Sequence, residues 1–352
     1  VEQGGTMSSA AAQADPMWYD REIRFDVKFD QLELRRGEVL IDSMRSIEDT
    51  KGNNGENGEL RVTNLRLLWI STTNLKTNLS IGYNAVVNIN IRTANSRSRG
   101  NSQALYVLTK FNGSRFEFIF TNLVRDSPRL FTTVQAVFRA YDTSKLYREL
   151  KLRGAVIAQK ELIQLPEEQI FNKISGIWNL SADQGNLGTF FFTNVRVVWH
   201  ANLAENFNVS IPYIQIKTIR IRDSKFGPAL VIDTSPRSGS YVLGFRVDPS
   251  EKLSVVHKEI KALYDTYFSN PIFGVSFTVQ DSAPGIQDLK VPMQQDDVEI
   301  VDTAESSHDA LAAYYADSSK LPDREPEFNA YLGLAVEPLK EGVTIQQLWS
   351  VL

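Results

Sequence analysis

From Trp18 onward the chain falls into short runs in which apolar and polar residues alternate, the period of a strand with one buried face. Ile23, Phe25 and Val27 open the series, and residues 37–43 read as the next strand. Residues 51–58, rich in Gly and Asn, read as a loop because both residue types tolerate positive φ. Leu60 and Val62 then share one parity, whereas Leu65, Leu67 and Trp69 fall on the other. A slip of one residue flips every side chain, so no straight strand passes through. Thr63-Asn64-Leu65-Arg66 is therefore a tight turn, with Asn64 expected in the strained position, between hairpin arms 59–63 and 67–71. Further strands are expected at 79–83, 86–92, 105–109 and 115–120, separated by polar loops at 94–101 and 112–114. After Pro128 the period turns helical. Leu130, Val134, Val137, Phe138 and Tyr141 predict an amphipathic helix from 128 to about 150, with Pro in its first turn.

The pattern then repeats. Thr193-Asn194-Val195-Arg196-Val197-Val198-Trp199 lies 130 residues after Thr63–Trp69, and Asn208-Val209-Ser210-Ile211-Pro212-Tyr213 matches Asn78–Tyr83 at the same offset. Glu38, Ile47, Gly55 and Gly58 fall on Glu168, Ile177, Gly185 and Gly188. One unit has been used twice, a domain pair rather than a solenoid. The second copy predicts a hairpin of 189–193 with 197–201, strands at 209–213, 216–222, 229–233 and 240–247, and a helix over 249–268. Roughly seven short strands closed by one C-terminal helix, made twice, specify a mainly β protein of two small barrels, each closing its sheet and capped by its helix. The expected divisions are a disordered N-terminus at 1–17 with Met7 as a candidate start, barrels at 18–150 and 151–270, and a tail at 271–352. Tail residues 281–307 read as extended, with helical patches at 308–316 and 344–352. In the last patch Ile345, Leu348, Trp349 and Leu352 form one apolar stripe, which needs a groove on this chain or on a partner.

Composition sharpens this picture in three places. There are no cysteines, which excludes disulfides and thiolate chemistry. No apolar run reaches the eighteen or so residues that span a bilayer, so a cytoplasmic protein, peripheral to membranes at most, is expected. The net charge of −4 divides unevenly: residues 281–352 carry −10 and residues 1–280 carry +6. A mildly basic body suits phosphates, and an acidic tail suits a basic partner.

Catalysis finds little support, and no cofactor or metal site is expected. His200, His257 and His308 stand at no metal-ligand spacing, and the Gly-rich loop at 51–58 lacks a P-loop's Gly-Lys-Ser/Thr and leads into a strand. Trp69 with Trp199, and Asn78 with Asn208, hold matched positions, so they maintain the shared fold. Cations outside the matched core are the candidates for function: Arg92, Arg97 and Arg99 in copy one, and Lys217, Arg220, Arg222 and Lys225 in copy two. Ile219 and Ile221 alternate with Arg220 and Arg222, which places both arginines on one outward face. Such clusters bind multiply charged phosphates through charge-assisted bonds; a solvated basic face accounts for the same pattern. Nucleic acid is not expected, given a sequence pI of about 5.6 and no recognition motif.

The hairpin with Thr-Asn-x-Arg at its turn and an aromatic in its second arm resembles the GRAM branch of the pleckstrin-homology-like superfold, a seven-stranded barrel with a C-terminal helix. Longer strings are similar to the Bardet–Biedl syndrome 5 family: residues 46–55, 92–96, 181–190 and 221–227, with 295–300 and 323–326 in the tail. That resemblance, from about Trp18 to the C-terminus, implies a non-enzymatic subunit of the BBSome, a coat-like complex that carries membrane proteins into and out of cilia. It further implies phosphoinositide membranes at the cilium and basal body, sister subunits built from propellers and helical repeats, a recruiting small GTPase and ciliary cargo as partners. A structural scaffold whose barrels meet only protein is the alternative.

Overall fold

The computed structural model describes residues 19–125, 127–181, 185–276, 314, 327–329 and 334–336. The first sheet contains β1 (Ile23–Phe25), β2 (Leu40–Asp49), β3 (Asn57–Thr63), β4 (Arg66–Ser71), β5 (Asn78–Gly82), β6 (Val86–Ser96), β7 (Gly100–Phe111) and β8 (Ser114–Asn122). Helix α1 (Phe29–Leu32) precedes β2, and α2 (Arg129–Thr143) follows β8. In the second unit come β9 (Lys151–Leu152), a small hairpin of β10 (Ile157–Ala158) and β11 (Glu161–Leu162), then β12 (Ile170–Asn179), β13 (Asn186–Thr193) and β14 (Arg196–Ala201). β15 (Ala204–Pro212), β16 (Ile216–Ser224), β17 (Gly227–Thr234), β18 (Val242–Val247) and α3 (Leu253–Ser269) complete it. The tail contributes a pair, β19 (Glu327–Asn329) and β20 (Leu334–Val336), that the sequence pattern does not signal.

The two large sheets have corresponding orders, β1-β5-β4-β3-β2-β8-β7-β6 and β16-β17-β18-β12-β13-β14-β15-β9. Seven strands of each are the expected ones, and an eighth, short strand from the preceding segment adds to one edge. Closure is incomplete, which corrects the expectation of a sheet without edges. No ladder joins β5 to β6 or β15 to β16; the chain passes between them through the 3-10 turns Tyr83–Ala85 and Tyr213–Gln215. Helix α2 fills the first barrel with Leu130, Phe131, Val134, Val137 and Tyr141, and α3 fills the second with Leu253, Val256 and Ile260.

The parity slip resolves as a hairpin. Leu60 pairs with Trp69 and Val62 with Leu67, so Leu60, Val62, Leu65, Leu67 and Trp69 all reach the first core. Leu68 and Ile70 point to the other face and meet Leu32 and Val27. Asn64, however, is not at positive φ. The Thr63 hydroxyl accepts the N–H groups of Leu65 and Arg66 at 3.1 and 3.0 Å, which tightens the turn without a left-handed residue. Asn64 is there for its side chain, which accepts from Val39 N and donates to Gly37 O, each at 2.9 Å. The matched glycines make room for the matched tryptophans: a Cβ on Gly58 or Gly188 would lie 2.4 or 2.5 Å from the indole of Trp69 or Trp199. Those indoles donate to Ile47 O and Ile177 O at 2.9 and 3.0 Å.

Two expected boundaries move, each for a local reason. Helix α2 ends at Thr143 rather than near 150, because the Arg148 guanidinium folds back onto Tyr141 O at 2.6 Å and turns the chain. The expected loop at 94–101 contracts to a turn, since β6 and β7 run to Ser96 and from Gly100. The buried Glu48 carboxylate organises that turn by accepting from Ser96 Oγ and from the N–H groups of Arg97 and Ser98.

The barrels are joined through Arg148 and Gln215. Gln215 Nε2 donates to Arg148 O at 2.5 Å, and Ile214 packs against the first core. Beyond α3 the chain returns to the first barrel, where Phe273 is buried and its carbonyl accepts from Arg148. Gly37, at φ 75°, lies so close to Pro271 that a Cβ would sit 2.5 Å from its carbonyl oxygen. Burying Phe273 contributes on the order of 2–3 kcal/mol to that docking.

Candidate functional site

The Thr-Asn-x-Arg turn builds a buried ion pair in each barrel. Arg66 Nε and Nη2 grip both oxygens of Glu38 at 2.9 and 3.2 Å, and Arg196 grips Glu168 at 2.8 and 2.9 Å. Side-chain exposure is 1% and 0% for the first pair and 0% for both partners of the second. The remaining guanidinium hydrogens go to Ser80 or Ser210 and to main-chain carbonyls, so no donor is left for a ligand. These matched residues therefore hold the fold. The pairing was not read from the sequence, although Glu38 with Glu168 and the two arginines recur at one spacing.

Asn78 and Asn208 do more than turn the chain. Asn78 bonds both N and O of Val27, and Asn208 bonds both N and O of Gly154, so each clips the segment before its barrel to the sheet.

The candidate cations fall on the corresponding hairpin of each barrel. Arg92 projects from the exposed face of β6, with its guanidinium 5.6 Å from the Tyr106 ring centroid. Arg97 and Arg99 share the β6–β7 turn, where they donate to Asn54 O at 3.0 Å and Asn122 O at 2.7 Å. In copy two Arg220 and Arg222 are both exposed on β16, and Arg220 is ion-paired with Asp233. Burial alone would raise Asp233, but bonds from Thr218 and Arg220 hold its carboxyl below the usual carboxylate range. Lys217 is exposed near the start of β16, and Lys225 lies in the β16–β17 turn with its ammonium 4.9 Å from the Phe226 ring centroid. Ile219 packs on the second core, but Ile221 is 42% exposed, because β16 overruns the core it was expected to cover.

A protein contact appears where the sequence did not place it. Tyr314, from the tail, is 2% exposed and enters the first core. Its ring lies 5.2 Å from Phe25 and 5.0 Å from Phe118, and its hydroxyl donates to Asp49 Oδ2 at 2.5 Å while accepting from Asn53 at 2.8 Å. Burial pushes the Asp49 carboxyl up to about 6, against the pull of Tyr314, Gly52 and Asn53. Gly52 is required beneath the ring, since a Cβ there would lie 2.1 Å from the phenol. Tyr314 lay within the helical patch at 308–316, but no periodicity distinguishes an anchor from its neighbours. Ile345, Leu348, Trp349 and Leu352 lie outside the described residues.

His200 is buried, stacked on Phe191 and shifted down by burial, with Nδ1 beside Ala201 O. Among the described residues no group of three or more His, Asp or Glu side chains is placed to hold a metal ion. No helix among them is long and apolar enough to cross a membrane.

Comparison with known proteins matches residues 38–143 to the Bardet-Biedl syndrome 5 protein N-terminal PH-like domain and residues 151–277 to the second PH-like domain of the same protein. A relative from Danio rerio named "BBSome complex member BBS5" is 58% identical over 97% of this chain and 99% of its own. The relative of the same name from Homo sapiens is 58% identical over 96% of this chain and 98% of its own. One from Caenorhabditis elegans, "BBSome complex member bbs-5", is 43% identical over 96% of this chain and 97% of its own.

Proposed function

Because the chain belongs to the Bardet–Biedl syndrome 5 family, with two PH-like domains, we propose that it is a non-enzymatic BBSome subunit that meets phosphoinositide membrane and serves the trafficking of ciliary membrane proteins. The observation that carries the assembly reading is the extent of the likeness to the vertebrate complex members, 58% identity over 97% of the chain, tail included. Surfaces for sister subunits, the recruiting GTPase and cargo are read as travelling with that likeness. The peripheral ciliary and basal-body location follows from the same reading.

Membrane contact rests on exposed cations at matching hairpins of both barrels: Arg92, Arg97 and Arg99, then Lys217, Arg220, Arg222 and Lys225. Guanidinium groups at such turns suit phosphate monoesters. The scaffold alternative draws on Arg97, Arg99 and Arg220, each of which already bonds within the chain and locks its own hairpin. Ile345, Leu348, Trp349 and Leu352 remain the proposed contact with a neighbouring subunit.

Affinity purification of the tagged full chain, co-expressed with the other BBSome subunits, tests the assembly reading. Stoichiometric recovery in one complex is expected. Recovery of the chain alone, with the other subunits assembled without it, would overturn it.

A further inference from the structure

The join between the barrels holds a cleft of about 300 Å³ lined from both sides. Arg21 enters it from the 3-10 turn Tyr19–Arg21 before the first barrel, and Arg237 from the β17–β18 loop of the second. Asn84, Gln215 and Ser238 line the same cleft, and Leu150 is its one apolar wall residue. Gln215 is fixed by its bond to Arg148 O and by Ser235 Oγ at 2.9 Å, so the wall is preorganised.

Among the described residues neither Arg21 nor Arg237 makes a hydrogen bond or ion pair, and that is unusual in this chain. Arg66, Arg97, Arg99, Arg148, Arg196 and Arg220 all spend their guanidinium groups on partners within the fold. Nearby carboxylates do not cancel the pair. Glu149 is bound to Lys151 at 2.9 Å. Asp20, 4% exposed, gives one oxygen to the Tyr141 hydroxyl at 2.8 Å, and its other oxygen has no partner. It adjoins a smaller void of about 30 Å³ that Arg21 and Arg237 also line. Two like charges held on opposite walls repel until an anion comes between them.

We propose that this cleft is a binding site for a phosphorylated polyol, with Arg21 and Arg237 gripping the phosphate and Asn84, Gln215 and Ser238 bonding ring hydroxyls. The two guanidinium forks suit a doubly charged oxyanion with several terminal oxygens better than they suit a single carboxylate. Amide and hydroxyl walls suit a hydroxyl-rich body rather than an acyl chain. The same chemistry is offered by a soluble inositol phosphate and by a lipid headgroup. Because the soluble form suffices, the site stands apart from the membrane reading above, whose candidate residues are all different.

The test is calorimetric titration of the full chain with inositol 1,4,5-trisphosphate, beside flotation with vesicles containing phosphatidylinositol phosphates. Arg21→Ala and Arg237→Ala should each weaken trisphosphate binding roughly tenfold or more, since each removes charge-assisted bonds, with the melting temperature held. Asp20→Asn should tighten it, by removal of the negative charge behind the arginines; a merely structural Asp20 would not produce that gain. Loss in both arms identifies the headgroup as the source, and loss in the soluble arm alone identifies a free polyol phosphate. Unchanged trisphosphate affinity in the folded double variant Arg21→Ala/Arg237→Ala, or no trisphosphate binding by the unaltered chain, overturns the proposal.

Discussion

The Tyr314 hydroxyl donates to Asp49 Oδ2 at 2.5 Å, a bond that spans 265 residues of sequence and seats the tail in the first barrel. Three aromatic rings and a buried carboxylate receive it, so the tail is part of the first domain's core at this one point. Tyr314→Ala removes the ring stacking and leaves Asp49 short of a donor, at a cost of about 3–5 kcal/mol to that seat. Tyr314→Phe keeps the ring and loses only the bond, about 1–3 kcal/mol. Hydrogen exchange at residues 49–55 should therefore quicken strongly in the alanine variant and weakly in the phenylalanine one. Equal exchange in all three proteins would show that Tyr314 is not an anchor.

Asp49 makes the same region sensitive to pH. Its carboxyl is raised from an ordinary value of 3.8 to about 6 by burial, so the folded state favours the protonated form. The stability this provides is complete below about pH 4 and is lost as pH rises through about 6. The bond from Tyr314 pulls the other way, so Tyr314→Phe should move the titration upward. Carbon NMR of the Asp49 carboxyl reads both midpoints, and an ordinary midpoint near 4 in the unaltered chain would contradict this account.

Arg66 and Glu38 form a buried pair whose members cannot be removed singly without loss. Arg66→Met leaves Glu38 charged and unpaired inside the first barrel, which should cost about 3–5 kcal/mol. The same change at Arg196 should strike the second barrel by a like amount, since Glu168 is equally buried. Denaturant unfolding of each variant measures this. A loss under about 1 kcal/mol would mean that the pair is dispensable.

Much of the architecture was legible because the chain is written twice. The slip between Val62 and Leu65 predicted the hairpin, and the recurrence of Trp69 at Trp199 predicted a shared core position. What escaped was long-range. Nothing in the periodicity around Asn64 distinguishes a side-chain clip from a strained turn, and nothing near Arg66 names Glu38 as its partner. The loop expected at 94–101 was a turn because Glu48, nearly fifty residues earlier, supplies the acceptor. The cations of β6 and β16 were found by charge alone, and charge does not reveal that Arg97, Arg99 and Arg220 already hold bonds within the fold. Arg21 and Arg237 lie 216 residues apart in sequence and share a cleft only once the barrels dock.

The account's central claim is that the PH-like barrels meet phosphoinositide membrane through the paired hairpins. Its most direct test is flotation of the full chain with vesicles carrying phosphatidylinositol phosphates, against the quadruple variant Arg97→Glu, Arg99→Glu, Arg220→Glu and Lys225→Glu. At roughly 1 kcal/mol per cation near an anionic surface, the variant should bind at least tenfold more weakly, with phosphoinositide-free vesicles recovering little of either protein. Equal flotation of the folded variant and the unaltered chain, or indifference to phosphoinositide, would contradict the claim and leave the barrels as protein-facing scaffold.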